Sequence, residues 1–204
     1  MLTTADAATF ERCMAVGGVA LFPADTVYGL ACDPDAKEAV QGLYLLKRRP
    51  LAKPSAVMFF SLELALAALP ELGERTRGAL ESLLPDGVTL LLPNPAHRFP
   101  LACGEDPDTL GLRVPALPPA AAALGRVSWP VLQTSANYAG EPEAREVRDV
   151  RPGLREAIDL VLDAGPLPGT PSTVIDLRRY EAEGAWTIVR EGAVASACVE
   201  AKLG

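Results

Sequence analysis

The stretch Asp35–Phe60, DAKEAVQGLYLLKRRPLAKPSAVMFF, reads as a helix, a basic turn and a buried strand in direct succession. Ala36, Val40, Leu43 and Leu46 recur at helical spacing on one face, and Pro50 forbids continuation. Asp35 is placed to cap the first turn, with Glu38 three residues on as in a capping box. AVMFF (Ala56–Phe60) is short, apolar and bounded by proline and serine, which fits a buried strand. A helix feeding a strand through a tight turn points to a sheet with helices packed on it.

Working outward, the same kind of apolar run recurs. VALF (Val19–Phe22), VTLLL (Val88–Leu92), LGLRV (Leu110–Val114), DLVLD (Asp159–Asp163), TVIDL (Thr173–Leu177) and WTIV (Trp186–Val189) all read as strands. Helical patterns cover Asp6–Val16, Ser61–Leu69, Glu74–Leu83, Leu117–Leu124, Glu146–Ile158 and Ala193–Lys202. Some strands follow one another without a helix between them. The expected fold is therefore α/β (α+β), a twisted, mostly mixed sheet with helices packed on it.

A chain of 204 residues suits one domain with a full hydrophobic core, and a single domain over residues 1–204 is expected. With 49% hydrophobic and 22% charged residues, disorder is not the default. No apolar run reaches the roughly 18–20 residues that span a bilayer, so no membrane association is expected. The N-terminus, MLTTADAATFERC, lacks a basic segment followed by an apolar one, so no signal peptide is expected and the location is read as cytoplasmic. Cys13, Cys32, Cys103 and Cys198 are scattered, and His97 is the lone histidine, so adjacent ligands for zinc are missing and no protein-held metal is expected. A net charge of −7 argues against broad non-specific nucleic-acid binding, which depends on released counterions.

Two short segments carry the chemistry. LKRRP (Leu46–Pro50) offers Lys47 and Arg49 at the end of a helix; QTSAN (Gln133–Asn137) offers Ser135 and Asn137 after an apolar strand. Cations and neutral donors brought together this way can grip a polyphosphate without a glycine-rich loop. Basic residues at a helix C-terminus also have an ordinary role, complementing the macrodipole by roughly 0.3–1 kcal/mol. Asp25, Thr26 and Tyr28 lie where a strand breaks at Pro23, either as a plain turn or at a ligand-facing strand end. Arg113, inside LGLRVP, must find an anion, either a core carboxylate or a substrate one. Arg190 poses the same question, with Glu191 as a local partner. The dinucleotide, P-loop and nucleophile-elbow signatures are all missing.

Taken in order, these segments resemble the YrdC/TsaC family, the threonylcarbamoyl-AMP synthases, from about Val19 to Val194. FPADTVYGLACDP, LKRRPLAKP, TLGLRVP, TSANYAG, STVIDL and IVREGAV each resemble one of its motifs. The resemblance implies a YrdC-like sheet with a concave active-site face. It implies a nucleotidyltransferase that joins L-threonine, bicarbonate and ATP into threonylcarbamoyl-adenylate and pyrophosphate, for threonylcarbamoyladenosine modification of tRNA. By motif, Lys47 and Arg49 would be catalytic and hold the triphosphate, with Thr109, Ser135, Asn137 and Arg190 completing the ATP site. Thr26, Tyr28 and Arg113 would bind threonine. Magnesium would accompany ATP, and a downstream tRNA-modifying transferase complex would receive the product. Weak double-stranded RNA or tRNA binding is held open as a further partner.

Four departures are visible, one of them LPDGVT (Leu84–Thr89) where the family has a W-P-G-P-[LV]-T stretch. Ala24 stands where the family usually has threonine, which would remove a hydroxyl beside the amino acid. Ala139 replaces a serine after the S-A-N loop, and Glu143 stands where a small hydroxyl residue is common. The alternatives are a YciO-type paralogue acting on another amine, and an RNA-binding module without synthase activity. For the latter, KRRPLAK and the Arg-rich stretch Arg145–Arg155 are the cues.

Overall fold

Helix α1 (Thr4–Ala15) begins where Thr3 and Asp6 close a capping box: Asp6 N donates to the Thr3 hydroxyl, and Thr3 N donates to the Asp6 carboxylate. Its buried stripe is Ala7, Phe10 and Met14. The remaining helices are α2 (Lys37–Leu46), α3 (Leu62–Ala68), α4 (Glu74–Leu83), the single turns α5 (Pro152–Arg155) and α6 (Tyr180–Glu183), and α7 (Ser196–Leu203). The computed structural model describes residues 1–204. None of its helices is long and apolar enough to cross a membrane.

Nine strands form one mixed sheet: β1 (Ala20–Pro23), β2 (Tyr28–Cys32), β3 (Ala56–Met58), β4 (Val88–Pro93), β5 (Thr109–Arg113), β6 (Val131–Ser135), β7 (Leu160–Val161), β8 (Thr173–Asp176) and β9 (Thr187–Arg190). Their order across the sheet is β7-β1-β2-β6-β3-β5-β4-β8-β9. The pairs β1–β7, β3–β5 and β4–β8 run parallel, and the other neighbours antiparallel.

The two faces of this sheet are covered unequally. One face packs into a core of 35 buried residues, including Leu30, Leu90, Leu112 and Leu132 from the strands and Leu43, Leu80 and Val199 from α2, α4 and α7. The opposite face has a core of only 14 buried residues, built where α1 and the 3-10 turn Pro119–Arg126 lie over β1 and its neighbours. Phe10, Phe22 and Phe60 meet there with ring centroids 5.3–6.2 Å apart. The helices stop short of β5, β4 and β8, so that part of the face stays open. Strand alternation shows it: Val88, Leu90 and Leu92 of β4 are buried, whereas Thr89, Leu91 and Pro93 are only half-buried.

Several sequence expectations change. Tyr28, expected in a turn or at a ligand-facing strand end, opens a strand of its own: Tyr28–Cys32 is wholly buried between β1 and β6. Asp35 does not cap α2: its own N–H donates to the Asp33 carboxylate at 2.8 Å, and the helix starts after Ala36 with no side-chain cap. Leu117–Leu124 winds as a 3-10 turn over Pro119–Arg126. Glu146–Ile158 is not one helix. A short 3-10 turn boxed by Glu146 and Asp149 is followed by Pro152, which starts a separate turn.

Candidate active site

The open part of the sheet forms a cleft of about 430 Å³. Its floor alternates along each strand: Gln133 and Ser135 on β6, Thr109, Gly111 and Arg113 on β5, Thr89 and Leu91 on β4. One row across the sheet runs Ala31, Gln133, Ala56, Gly111, Leu91. Three of these five residues are glycine or alanine, so the floor lies deep. A Cβ built on Gly111 would meet Ala56 at an ordinary 3.4 Å, so the open space rests on the choice of residue and not on a backbone clash.

Arg113 lies at the end of β5 in a charge-balanced arrangement. Its Nη2 donates to Asp25 Oδ1 at 2.6 Å and its Nη1 to Gln133 Oε1 at 3.3 Å, while Nε has no acceptor. The Asp25 carboxylate also accepts from Thr26 N at 2.9 Å and Ala116 N at 3.3 Å. Burial pulls the Arg113 pKa down, the Asp25 charge opposes that, and nearby Arg190 adds a further downward push. A buried cation with so close a counterion contributes little net charge to the cleft.

The other cations divide by partner. Arg178 grips Asp176 through Nη2 at 2.6 Å and Nε at 3.0 Å, and reaches Asp106 at 3.8 Å. Arg49 donates to the Pro54 carbonyl at 2.6 Å and lies 5.8 Å from the Tyr44 ring; its Nε is enclosed without an acceptor. Arg190 donates to the Ser172 carbonyl at 2.7 Å. Neither Arg49 nor Arg190 has a carboxylate partner, and both border the cleft. These two guanidiniums are its uncompensated positive charges. Glu143 also borders the cleft.

Lys47 sits behind the wall. It is 1% exposed, and its ammonium donates to the carbonyls of Ser135 and Asn137 (2.6 Å for the latter) and to Asn137 Oδ1 at 3.3 Å. Burial pushes its pKa down to about 8, Arg49 adds to that, and Glu143 opposes it. Arg48 turns the chain through a left-handed conformation (φ 52) and lays its guanidinium 4.7 Å from the Tyr138 ring. The basic turn and the polar loop are thus clasped together. On the cleft side, the Ser135 hydroxyl donates to Asn137 Oδ1 at 2.6 Å.

Of the residues expected at the site, Arg49, Thr109, Arg113, Ser135 and Arg190 border the cleft. Lys47 and Asn137 hold the loop from behind. Thr26 is buried with its hydroxyl unpartnered, and its neighbour Val27 borders the opening instead. Tyr28 lies in the large core on the other face, its hydroxyl bound to Asp163 and Gly165, and burial raises its pKa to about 12. Ala24 is fully buried in the smaller core and is not on the cleft wall. Sequence reading missed Gln133 and Arg178. Gln133 had a signal, a polar residue two before Ser135 in an apolar strand; Arg178 had none.

Known proteins resemble the chain in sequence and in fold. The Sua5/YciO/YrdC family, whose description reads "Telomere recombination", matches residues 12–192. A threonylcarbamoyl-AMP synthase of Xanthomonas campestris pv. campestris (strain B100) is 36% identical over 169 residues, 81% of this chain and 89% of the relative. The crystal structure of P. abyssi Sua5 complexed with L-threonine superposes with a TM-score of 0.86 at 26% identity; it covers all of this chain, which spans 59% of that longer one. E. coli YciO shares the fold at TM-score 0.80 and 23% identity, covering 98% of this chain and 95% of that one. The chain belongs to the Sua5/YciO/YrdC family.

Proposed function

We propose that this chain is a threonylcarbamoyl-AMP synthase, a nucleotidyltransferase acting on ATP, L-threonine and bicarbonate. One observation carries the reading: a single cleft holds two uncompensated guanidiniums, Arg49 and Arg190, together with Arg113, whose charge is balanced by buried Asp25. The first pair suits a polyanion; Arg113, whose guanidinium has donors beyond the one given to Asp25, suits the single carboxylate of an amino acid. The synthase among the relatives and the threonine bound to Sua5 support the same reading.

In this reading the threonine nitrogen and bicarbonate give a carbamate and water. A carbamate oxygen then attacks the α-phosphorus, the bond to the β-phosphate oxygen breaks, and pyrophosphate leaves. Both partners are anionic, so the protein's task is to position them and offset charge. Arg49 and Arg190 hold the phosphates, Ser135 and Thr109 orient the nucleotide, and Arg113 faces the threonine carboxylate. Lys47 and Asn137 shape the nucleotide wall, and Thr26 supports the amino-acid end. No group of three or more His, Cys, Asp or Glu converges to cage an ion, so magnesium would enter with ATP, where it would offset phosphate charge. The product would pass to a tRNA-modifying transferase complex in the cytoplasm. A separate RNA-binding role is not favoured, because Arg148 and Arg151 of the Arg-rich stretch are paired with Glu146 and Glu141.

The test is pyrophosphate release with threonine, bicarbonate and ATP, omitting each in turn. Release that requires all three is expected. Release indifferent to threonine, or equal with other amino acids, would transfer the chain to the paralogue that acts on another amine.

A further inference from the structure

Arg190 reaches the cleft by a route that regular strand geometry does not give. Val174 pairs with Arg190 and Ile175 with Ile188, so the ladder between β8 and β9 carries a bulge with Val189 as its extra residue. In a regular strand Ile188 and Arg190, two apart, would share a face. Here Ile188 stands opposite Ile175 of the large core, while Arg190 stands opposite Val174, which borders the cleft. The bulge aims the side chain, and Ser172 holds it: Nη2 donates to the Ser172 carbonyl at 2.7 Å and to its hydroxyl at 3.4 Å.

Two residues on, Gly192 presses against that anchor without itself bordering the cleft. A Cβ built on it would lie 2.2 Å from the Pro171 carbonyl oxygen and 2.6 Å from the Ser172 carbonyl oxygen, the acceptor of Arg190. Gly192 is not among the glycines with positive φ, so its backbone would accept another residue and only the contact forbids one. The chain beyond it is tied to the same segment. Ala193 N donates to the Pro171 carbonyl at 2.8 Å, Val194 N donates to Thr173 Oγ1 at 3.0 Å, and the Thr173 hydroxyl donates to the Val194 carbonyl at 2.6 Å. Any side chain at 192 would have to move backbone carbonyls held on both sides.

We infer that Gly192 is a positioning residue for the phosphate site. Its bare Cα lets the chain leaving β9 lie on Pro171 and Ser172, and this sets the carbonyl that holds Arg190 at the cleft. The inference rests on the synthase reading, in which Arg190 takes phosphate oxygens.

Calorimetric ATP titrations of Gly192→Ala, Arg190→Ala, Arg49→Ala and the two double variants that include Gly192→Ala test it. Gly192→Ala should weaken ATP binding about fivefold to tenfold, both alone and in the Arg49→Ala background. In the Arg190→Ala background it should cost less than about twofold, because the group it positions is gone. Thr173→Val loosens the same connection without adding bulk. It should cost about threefold with the same dependence on Arg190, and it decides the question if Gly192→Ala does not fold. Two results overturn the inference: ATP affinity within about twofold of wild type, or a loss of equal size in all three backgrounds, which a general weakening of the fold would give. If Arg190→Ala itself binds ATP like wild type, the assignment of Arg190 to the phosphates fails and the inference falls with it. Failure of the inference alone leaves the Arg190→Ala deficit in place.

Discussion

Under α1 the inner face of the sheet carries Ala20, Phe22, Ala31, Met58 and Val131; further along β6, and on β5, the same face carries Gln133, Ser135, Thr109 and Gly111. The strands are continuous and the pleat is the same. What differs is the cover. Where a helix lies on the sheet, inward positions are aromatic or aliphatic and exclude water. Where none does, they are small or polar, and the freed space holds charge. A single sheet face therefore does two jobs, and substitutions in its two halves should fail in different ways.

The largest effect is expected in the covered half. Phe22→Ala removes one member of the aromatic trio and should destabilise the fold by about 3–5 kcal/mol. Urea titration would measure this, and the folded fraction should keep wild-type ATP affinity. A large loss of ATP affinity with unchanged stability would erase the distinction between the halves.

Next come the uncompensated cations of the open half. Arg49→Ala and Arg190→Ala should each weaken ATP binding by about 1.5–3 kcal/mol, roughly tenfold to a hundredfold or more, with little change in melting temperature. Calorimetric titration decides this, and unchanged affinity in both would remove them from the phosphate site.

The clasp behind the wall gives a smaller, pH-dependent effect. Above about pH 8 the Lys47 ammonium loses a proton and faces three loop oxygens with two N–H groups. ATP affinity should fall about fivefold as pH rises toward 10, equivalent to one neutral hydrogen bond. The stability term has the opposite sign. The unfolded lysine keeps its proton up to its ordinary pKa of 10.5, so between about 8 and 10.5 the folded state binds fewer protons and this group's contribution to stability rises with pH. Lys47→Met, with no proton to lose, should give a flat affinity profile; a flat wild-type profile would show that the clasp does not depend on the charge.

The smallest expected change is Ser135→Ala, about threefold in ATP affinity for one neutral donor. An unfolded variant with full affinity in its folded fraction would make Ser135 a loop cap only.

Much of this contrast was legible in the sequence, because the cleft's cations and hydroxyls sit in short runs with local signals. Pro50 fixes the turn that presents Arg49, and the apolar strand before Ser135 sets its direction. Other features depend on partners far along the chain. Tyr28 reads like a loop residue beside Asp25 and Thr26, yet pairing of β2 with β6 turns it into the large core, where Asp163 takes its hydroxyl. Ala24 looks like a missing hydroxyl in the site until α1 is placed over it. Asp35 fails as a cap because the helix starts at Lys37, which puts Ala36 and not Asp35 at the cap position. Arg178 joins the cleft only because β8 lies beside β4.

The order of the strands also governs how the cleft comes into being. Gly29 pairs with Ser135, Ala56 with Gln133, and Thr89 with Val174, so neighbours in the floor are remote along the chain. Such pairings close long loops before they are rewarded, which makes folding slow compared with a helical bundle of similar size. In a chain leaving the ribosome the cleft lacks its Arg190 side until that residue has emerged and β9 has joined β8. Nucleotide would then bind only the finished molecule and draw the folding equilibrium toward it. Added ATP during refolding should leave the early phases unchanged and raise the final yield of native protein.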